Sequence, residues 1–129
     1  MLCRALAKVT GCTTLLKNAS GRARLLEGLD DAAETMLGTT PPEALPVPMN
    51  GATYLADLTG GQKTGLFYDQ RPNHAFAANL SKGRTVLDVF SHVGGFALAA
   101  LANGATHALA SDGSAPALKL AEALSLIHI

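Results

Sequence analysis

Val86-Leu87-Asp88-Val89-Phe90-Ser91-His92-Val93-Gly94-Gly95-Phe96 contains an apolar run, a single carboxylate and a pair of glycines. The apolar run predicts a strand at Thr85–Phe90 that is buried on both faces, as in parallel sheets. A carboxylate in such a strand needs a hydrogen-bonding partner, because its desolvation is costly. We therefore expect Asp88 to bond to N–H groups of the loop or to a ligand, which Gly94 and Gly95 let approach the backbone.

The residues around this stretch predict an α/β fold. On the first predicted helix, Ala75, Phe76 and Leu80 are expected to supply apolar contacts. Strand, glycine loop, helix, strand and helix, in this order, are the start of a doubly wound, Rossmann-like sheet. The predicted elements besides the first strand are helices at Asn73–Leu80, Phe96–Asn103 and Ala115–Leu124, and a weaker strand at Ala105–Ser111.

A second acid, Asp112, follows the second predicted strand, 24 residues after Asp88. In nucleotide-binding folds of this topology, an acid at that place takes the two hydroxyl groups of a ribose. The alternative is purely structural, since Asp112 also suits the N-cap of the helix that begins near Pro116. The order of acid, glycines and second acid favours a nucleotide-like ligand.

The glycine loop distinguishes between such ligands. A dinucleotide site has the pattern G-x-G-x-x-G, and here Ser91 stands in place of the first glycine. Close packing of the loop against a pyrophosphate is therefore not supported. A ligand without phosphates, such as S-adenosylmethionine (SAM), fits the loop better.

The residues before this region predict a separate α+β segment. Leu2, Leu6 and Val9 have helical spacing, and 13–17 is rich in β-formers. A cluster of prolines follows and predicts an extended connection without regular structure, because proline donates no backbone hydrogen bond. The prolines are Pro41, Pro42, Pro46 and Pro48.

Asn50-Gly51 predicts a tight hairpin turn, because both positions tolerate positive φ. Val47–Met49 and Thr53–Leu58 would be its strands, and Lys63–Tyr68 a third strand after the Gly60-Gly61 turn. The predicted division is an α+β segment with its proline-rich connection at 1–46, a hairpin linker at 47–69, the first half of a Rossmann-like domain at 70–124 and an atypical tail at 125–129.

Composition limits the remaining classes. Ten basic and ten acidic residues balance in the 129-residue chain, so the chain as a whole has no electrostatic footprint for nucleic acid. The longest apolar run, Phe96–Ala102, is too short to cross a bilayer. Cys3 and Cys12 have no metal-site spacing, and we expect reduced thiols in a soluble, cytoplasmic protein without a metal site.

Three blocks together resemble class I SAM-dependent methyltransferases, and most closely the bacterial large-subunit rRNA cytosine-5 methyltransferases. The resemblance covers about residues 13–122, and the first block is its most specific part. The blocks are Gly61-Gln62-Lys63-Thr64-Gly65-Leu66-Phe67-Tyr68-Asp69-Gln70-Arg71, the 86–96 stretch, and Ser111-Asp112-Gly113-Ser114-Ala115-Pro116-Ala117-Leu118.

The resemblance implies an enzyme with SAM as cofactor and RNA, namely 23S rRNA, as substrate of the full-length protein. It implies that Asp88, Phe90, Ser91, Gly94, Gly95 and Phe96 hold the methionine part of SAM. Asp112, Gly113 and Ser114 would bind at the ribose. Gln62, Lys63, Phe67, Asp69 and Arg71 would lie beside the cofactor or the entering nucleotide. Lys63 and Arg71 suit a carboxylate or a phosphate, and Phe67 suits stacking on a base.

The chain also departs from that family. The family's catalytic cysteine lies in a motif that this chain does not contain, so no catalytic residue is assigned. The apolar tail Ser125-Leu126-Ile127-His128-Ile129 suggests a truncated fragment that is inactive alone. His74 and His92 are expected to be loop or surface residues, and Tyr54 and Tyr68 packing residues. The alternative functions are a nucleotide-binding oxidoreductase and a non-catalytic binding module.

Overall fold

A computed structural model describes residues 2–19, 22–29, 32–60 and 65–125. The chain divides into two compact units, Met1–Pro42 and Glu43–Ile129. The finer division predicted at 46/47, 69/70 and 124/125 stays a prediction. Gln62, Lys63 and the tail residues 126–129 lie outside the described residues. None of the described helices is long and apolar enough to cross a membrane.

The first unit is an α+β segment. Its two strands pair antiparallel, from Leu15 opposite Leu37 to Ala19 opposite Ala32. The first helix has the predicted position, and the first strand begins two residues later than its β-forming run. The elements are α1 (Leu2–Thr10), β1 (Leu15–Ala19), α2 (Arg22–Leu26) and β2 (Ala32–Leu37).

The second unit begins with a hairpin of β3 (Leu45–Met49) and β4 (Ala52–Ala56). Asn50 and Gly51 form its turn with φ of 54° and 78°, as the Asn-Gly pair predicts. Pro46 and Pro48 lie inside β3, so the prediction that Pro46 belongs to an irregular connection is wrong, whereas Pro48 lies in the strand predicted at Val47–Met49.

The register explains how β3 holds two prolines. Pro48 stands opposite Thr53, and Pro46 opposite Leu55. In a two-residue hairpin the residue pair beside the turn exchanges backbone hydrogen bonds. The next pair does not, and the two kinds of pair then alternate along the strands. Both prolines occupy pairs that exchange no hydrogen bond, so the ladder loses nothing.

The third strand predicted at Lys63–Tyr68 is wrong for its described part. Residues 65–67 are bent, and Tyr68–Gln70 is a 3₁₀ helix that leads into α3 (Arg71–Leu80). Gly65 has φ +77°, and a Cβ there would lie 2.8 Å from the carbonyl oxygen of Asp57. This close backbone approach turns the chain away from an extended path.

The α/β part follows the predicted order. Its strands β5 (Thr85–Val89) and β6 (His107–Ser111) pair in parallel, with Val89 opposite Ser111. Between and after them run α4 (Gly95–Ala102) and α5 (Ala115–Ser125). The Rossmann-like strand–helix–strand–helix arrangement therefore confirms the predicted fold class, and it places the ends of β5 and β6 side by side.

The core joins the hairpin to this α/β part. Tyr54 is completely buried, and Leu98 of α4 and Leu124 of α5 are nearly so. The hairpin is thereby fixed against the helices that follow β5 and β6. The cluster of buried residues is Met49, Ala52, Tyr54, Ala56, Leu66, Val93, Leu98, Ala117 and Leu124.

The β5–β6 sheet has one open face within the described residues. Leu87 is 64% exposed, Val89 52% and Leu109 64%. Asp88 is buried and Val86 half-buried on the opposite face. The prediction that the strand is buried on both faces is therefore wrong: its apolar run lacks a cover on the Leu87 side in the described part of the chain.

Helix α3 packs through small and polar residues. His74, Ala78 and the following Ser81 are buried, whereas Phe76 and Leu80 are 68% and 60% exposed. The expectation that Phe76 and Leu80 supply apolar contacts is wrong. Small residues on the packed face allow α3 to lie close to the alanine-rich α4.

Candidate functional site

The candidate site lies where β5 and β6 end side by side. Asp88 is the penultimate residue of β5, and Asp112 directly follows β6. The loop 90–94 connects β5 to α4 at this edge, and its Ser91 N–H donates to the carbonyl oxygen of Ser111 at 3.1 Å. The carboxyl edge of a parallel sheet is where ligands bind in doubly wound folds.

Asp88 caps the first turn of α4. Its carboxylate is 5% exposed, and its Oδ2 accepts a 3.0 Å hydrogen bond from the Ala97 N–H. Burial raises the pKa of Asp88, and hydrogen bonds from the backbone N–H groups of Ala97 and Phe96 oppose that rise. The hydrogen-bonding partner that the sequence requires for this carboxylate is therefore the N-terminal turn of α4, within the protein.

Asp112 anchors two segments at once. Its Oδ2 accepts a 2.8 Å hydrogen bond from the His92 N–H, and its Oδ1 accepts one of 2.8 Å from the Ser114 N–H. The bonds from Ser114 and His92 hold the pKa of Asp112 below its ordinary value. The bond to Ser114 is the capping role that sequence offered as an alternative, and the bond to His92 adds a link to the glycine loop.

The loop itself is tightly wound. Phe90 and His92 have φ of 61° and 50°, in a region that residues with side chains rarely adopt. The Gly94 N–H donates to the Ser91 carbonyl oxygen at 2.8 Å. Backbone strain of this kind gathers at functional sites, where the surrounding structure holds it in place. Phe90 is also 88% exposed, so its ring stands free at the rim of the loop.

Both glycines of the pair are needed by packing within the chain. A Cβ at Gly94 would lie 3.1 Å from the Cβ of Ala121. A Cβ at Gly95 would lie 2.6 Å from both Cε1 and Nε2 of His74, which is closer than a Cβ atom can approach unless the ring shifts. This finding does not test the predicted role of the two glycines in ligand binding. It shows that packing within the protein already disfavours a side chain at both positions.

A cavity of about 100 Å³ opens beside this loop. Ser91 Oγ and His74 Nδ1 are buried and have no hydrogen-bond partner among the described residues, and both residues line the cavity. Buried polar groups without a partner are rare and point to a missing water or ligand. The cavity wall also holds Phe67, Phe90, Gly95 and Phe96.

A second space, of about 300 Å³, lies between the end of the hairpin and α5. Ser114 and His92 line it, together with Asp57 and Gly65. His92 borders both spaces, and its ring makes an edge contact with that of Phe67, with 5.1 Å between the centroids.

The structure brings together some predicted site residues and separates others. Phe67, Phe90, Ser91, Gly95 and Phe96 share the smaller cavity. Asp69 and Arg71 are exposed at the start of α3, where the Arg71 carbonyl oxygen accepts a hydrogen bond from the Asn50 side chain at 2.8 Å. No group of three or more potential metal ligands occurs in the described part of the chain.

Sequence reasoning missed His74 and misjudged Tyr68. His74 is 6% exposed inside the site, not a surface residue, whereas the supposed packing residue Tyr68 is 56% exposed. His92 does lie in the loop, and Tyr54 does pack in the core. The available signal for His74 was its helical spacing to Ala78 and Ser81, which places it on the small-residue face of α3.

A family model described as S-adenosylmethionine-dependent methyltransferase matches residues 1–122. The chain belongs to this methyltransferase family. The family and fold expected from the resemblance are thereby confirmed, and the cofactor named by the family is the one that the glycine loop favours.

Curated relatives of this methyltransferase-family chain are rRNA-modifying enzymes by name. It is 41% identical over 99 residues to ribosomal RNA large subunit methyltransferase I of Serratia proteamaculans, covering 77% of this chain and 25% of the relative. It is 34% identical over 122 residues to the protein of that name from Aliivibrio fischeri, covering 95% and 31%. The chain thus spans about a quarter to a third of the length of these relatives.

Solved structures agree with the fold of this chain. A protein assigned as a methyltransferase was crystallised with S-adenosylhomocysteine (SAH), the product that SAM leaves after methyl transfer. It superposes with a TM-score of 0.72 at 27% identity, covering 98% of this chain and 30% of that one. A protein of Streptococcus mutans assigned as a SAM-dependent methyltransferase gives 0.63 at 31% identity, covering 71% and 25%.

Proposed function

We propose that this chain binds SAM at the carboxyl ends of β5 and β6 and serves the methylation of large-subunit ribosomal RNA, with C5 of a cytosine as acceptor. The observation that carries the proposal is the pair Asp88 and Asp112, on neighbouring parallel strands and joined by one glycine loop. The names of the curated relatives support the RNA substrate. Support for 23S rRNA and for C5 comes from the sequence resemblance.

Asp112 is the proposed ribose-binding residue. Each of its oxygens accepts one backbone N–H, which leaves each a further lone pair for a hydroxyl group. The side chain is only partly buried, so a ligand can reach it. Gly113 and Ser114 follow Asp112 directly and are proposed to lie beside the ribose as well. The bonds to His92 and Ser114 keep the carboxylate ionised and fixed in orientation.

The loop from Phe90 to Phe96 is the proposed holder of the methionine part. Ser91 lines the cavity, and its buried Oγ has no hydrogen-bond partner within the described part of the chain, so it suits the polar amino-acid end of SAM. Phe90 and Phe67 supply apolar surface that excludes water. When bound, SAM supplies a methyl group on a positively charged sulfur. Asp88 acts indirectly, because its carboxylate fixes the first turn of α4.

The remaining predicted residues are proposed to face the nucleotide or the cofactor. Lys63 and Arg71 would attract a carboxylate or phosphate, and Phe67 would stack on a base. Gln62 and Asp69 complete this set as hydrogen-bonding groups. No residue of the chain is proposed as the nucleophile, because Cys3 and Cys12 do not match the motif of the family's catalytic cysteine.

Isothermal titration with SAH tests the proposal directly. We expect saturable binding to the chain, and at least tenfold weaker binding by Asp112→Asn, which removes the charge and one acceptor. Glu122→Gln is the matched control, since it neutralises an exposed acid on α5. Titration with NAD serves as a comparison. Binding of NAD but not SAH, or equal SAH affinity in Asp112→Asn, would overturn the proposal.

A methyl-transfer assay addresses the substrate. Large-subunit rRNA is incubated with methyl-labelled SAM and with an enzyme that has the full length of the relatives and carries these residues. The same enzyme with Asp112→Asn is assayed in parallel. Label on C5 of a cytosine is the expected result. Label found elsewhere on the RNA would leave the proposed SAM binding intact but would contradict C5 of a cytosine as the acceptor atom.

A further inference from the structure

Three side chains from three elements meet at the first turn of α4. The Tyr54 hydroxyl of β4 donates a 3.2 Å hydrogen bond to the Gly95 carbonyl oxygen. The His74 ring of α3 lies against Gly95, and Asp88 of β5 accepts the Ala97 N–H. The start of α4, and with it the end of the glycine loop, is therefore defined by side chains and not by the loop sequence alone.

Two aromatic rings pack against the His74 ring and restrict its movement. Its centroid lies 4.5 Å from that of Phe96, in an edge-on contact at 80°. On another side the Tyr54 ring stacks on it at 6.4 Å, and Tyr54 is itself completely buried. A methyl group at position 95 would thus meet a ring that is held in place.

The protonation state of His74 suits a steric role more than proton transfer. Burial lowers its pKa, and the nearby Asp88 and Asp69 oppose that effect. Tyr54 is the other titratable group that packs on the ring. A neutral imidazole leaves Nδ1 free of charge in its buried position, which costs less than an unpaired buried cation would.

We propose that His74 is a positioning residue for the cofactor loop: its ring abuts Gly95 and fixes the place where α4 begins, and thereby the course of residues 90–94 along SAM. The inference rests on the proposed function, because it assumes that SAM binds at this loop. It makes His74 and Gly95 a matched pair, in which a larger residue at 95 requires a smaller one at 74.

A double-mutant cycle on SAH affinity tests this pairing. Gly95→Ala alone is expected to weaken SAH binding at least tenfold, and His74→Ala alone several-fold. In the His74→Ala background, Gly95→Ala should weaken binding less than twofold, because its methyl group enters the vacated space. Additive effects of the two changes, or an unaltered affinity of Gly95→Ala, would overturn the inference.

Two further variants separate positioning from general stability. Gly94→Ala is the matched control, because its Cβ meets Ala121 and not His74, so its effect should stay the same in both backgrounds. His74→Gln keeps a planar group that reaches Gly95, and we expect it to restore most of the affinity that His74→Ala loses. Equal losses in His74→Gln and His74→Ala, each measured where the variant is fully folded, would contradict a positioning role.

The remaining outcomes are also decisive. If Gly95→Ala folds only in the His74→Ala background, the pairing is supported; if it folds in neither, the pairing is rejected. Binding of SAH by the unaltered chain with additive mutants rejects this inference alone. An unaltered chain that is folded but does not bind SAH rejects the proposed function and the inference together.

Discussion

The carboxylate of Asp112 accepts a 2.8 Å hydrogen bond from the backbone N–H of His92, a residue of the loop that follows the neighbouring strand. This bond joins the ends of β5 and β6 through a side chain. The same carboxylate accepts the Ser114 N–H at 2.8 Å. One ionised group thus holds the two segments that are proposed to carry the cofactor.

Acid is expected to release this anchor. The pKa of Asp112 in the folded chain lies below its ordinary 3.8, so its stabilisation is present above that value and is lost as the pH falls through the lowered pKa. Acid unfolding followed by circular dichroism should show a shallower loss below 3.8 in Asp112→Asn than in the unaltered chain. An identical loss in both would contradict the role of this carboxylate, and Glu122→Gln provides the control.

His74 predicts a second dependence on pH. Its pKa is lowered from 6.5 by burial, against the opposing influence of Asp88 and Asp69. The unfolded chain then binds the proton more tightly, so the free energy of unfolding should fall as the pH drops below about 6.5. The slope from one such group is at most about 1.4 kcal/mol per pH unit, and it ends at the lowered pKa. Urea unfolding at several pH values should show this contribution, and His74→Gln should lack it.

Tyr54 offers a spectroscopic test of the core. Burial, with a smaller contribution from Asp88, raises the pKa of Tyr54 from 10.0 to about 12. Its contribution to stability is present below 10.0 and is lost as the pH rises through about 12. The chain has two tyrosines, so Tyr68→Phe leaves Tyr54 as the sole tyrosinate signal. A midpoint near 10 in that variant, while it remains folded, would show that Tyr54 is not buried.

The same hydroxyl stabilises the loop. Tyr54→Phe removes the hydrogen bond to the Gly95 carbonyl oxygen, and a bond of this kind contributes about 0.5–1.5 kcal/mol to stability. Chemical denaturation should report that loss of unfolding free energy. Tyr68→Phe, at an exposed position, should change it by less than about 0.5 kcal/mol.

Gly65 is predicted to be intolerant of any side chain. Its φ of +77° disfavours other residues, and a Cβ would lie 2.8 Å from the Asp57 carbonyl oxygen. Gly65→Ala should therefore destabilise the chain by more than the about 1–2 kcal/mol that a positive φ costs alone. Gly83→Ala is the control, because Gly83 has φ +70° and nothing within 4 Å of its Cβ position. Equal losses in the two variants would show that the contact with Asp57 is unimportant.

Much of the fold follows from short-range sequence patterns. The Asn50-Gly51 pair specifies the hairpin turn through its positive φ values, and the order of strand, glycine loop and helix after Thr85 follows from apolar periodicity. Helix α4 begins at Gly95, one residue before its predicted start. Such local signals need no knowledge of distant contacts.

The missed features depend on distant partners. Helical spacing to Ala78 and Ser81 places His74 on the packed face of α3, but its contacts with Gly95 and Tyr54 depend on residues far along the chain. Exposure of Leu87 and Leu109 depends on what covers the sheet, whereas their apolar character alone indicates burial. For the site, the two acids, the glycines and the capping role of Asp112 were visible in the sequence, but the hydrogen bond from the His92 N–H to Asp112 was not.

The two prolines of β3 also limit what the hairpin can join. Their nitrogens face away from β4 and carry no hydrogen, so the outer edge of β3 lacks two of the donors that an added strand would need. Another chain therefore cannot extend this sheet by β-augmentation at that edge.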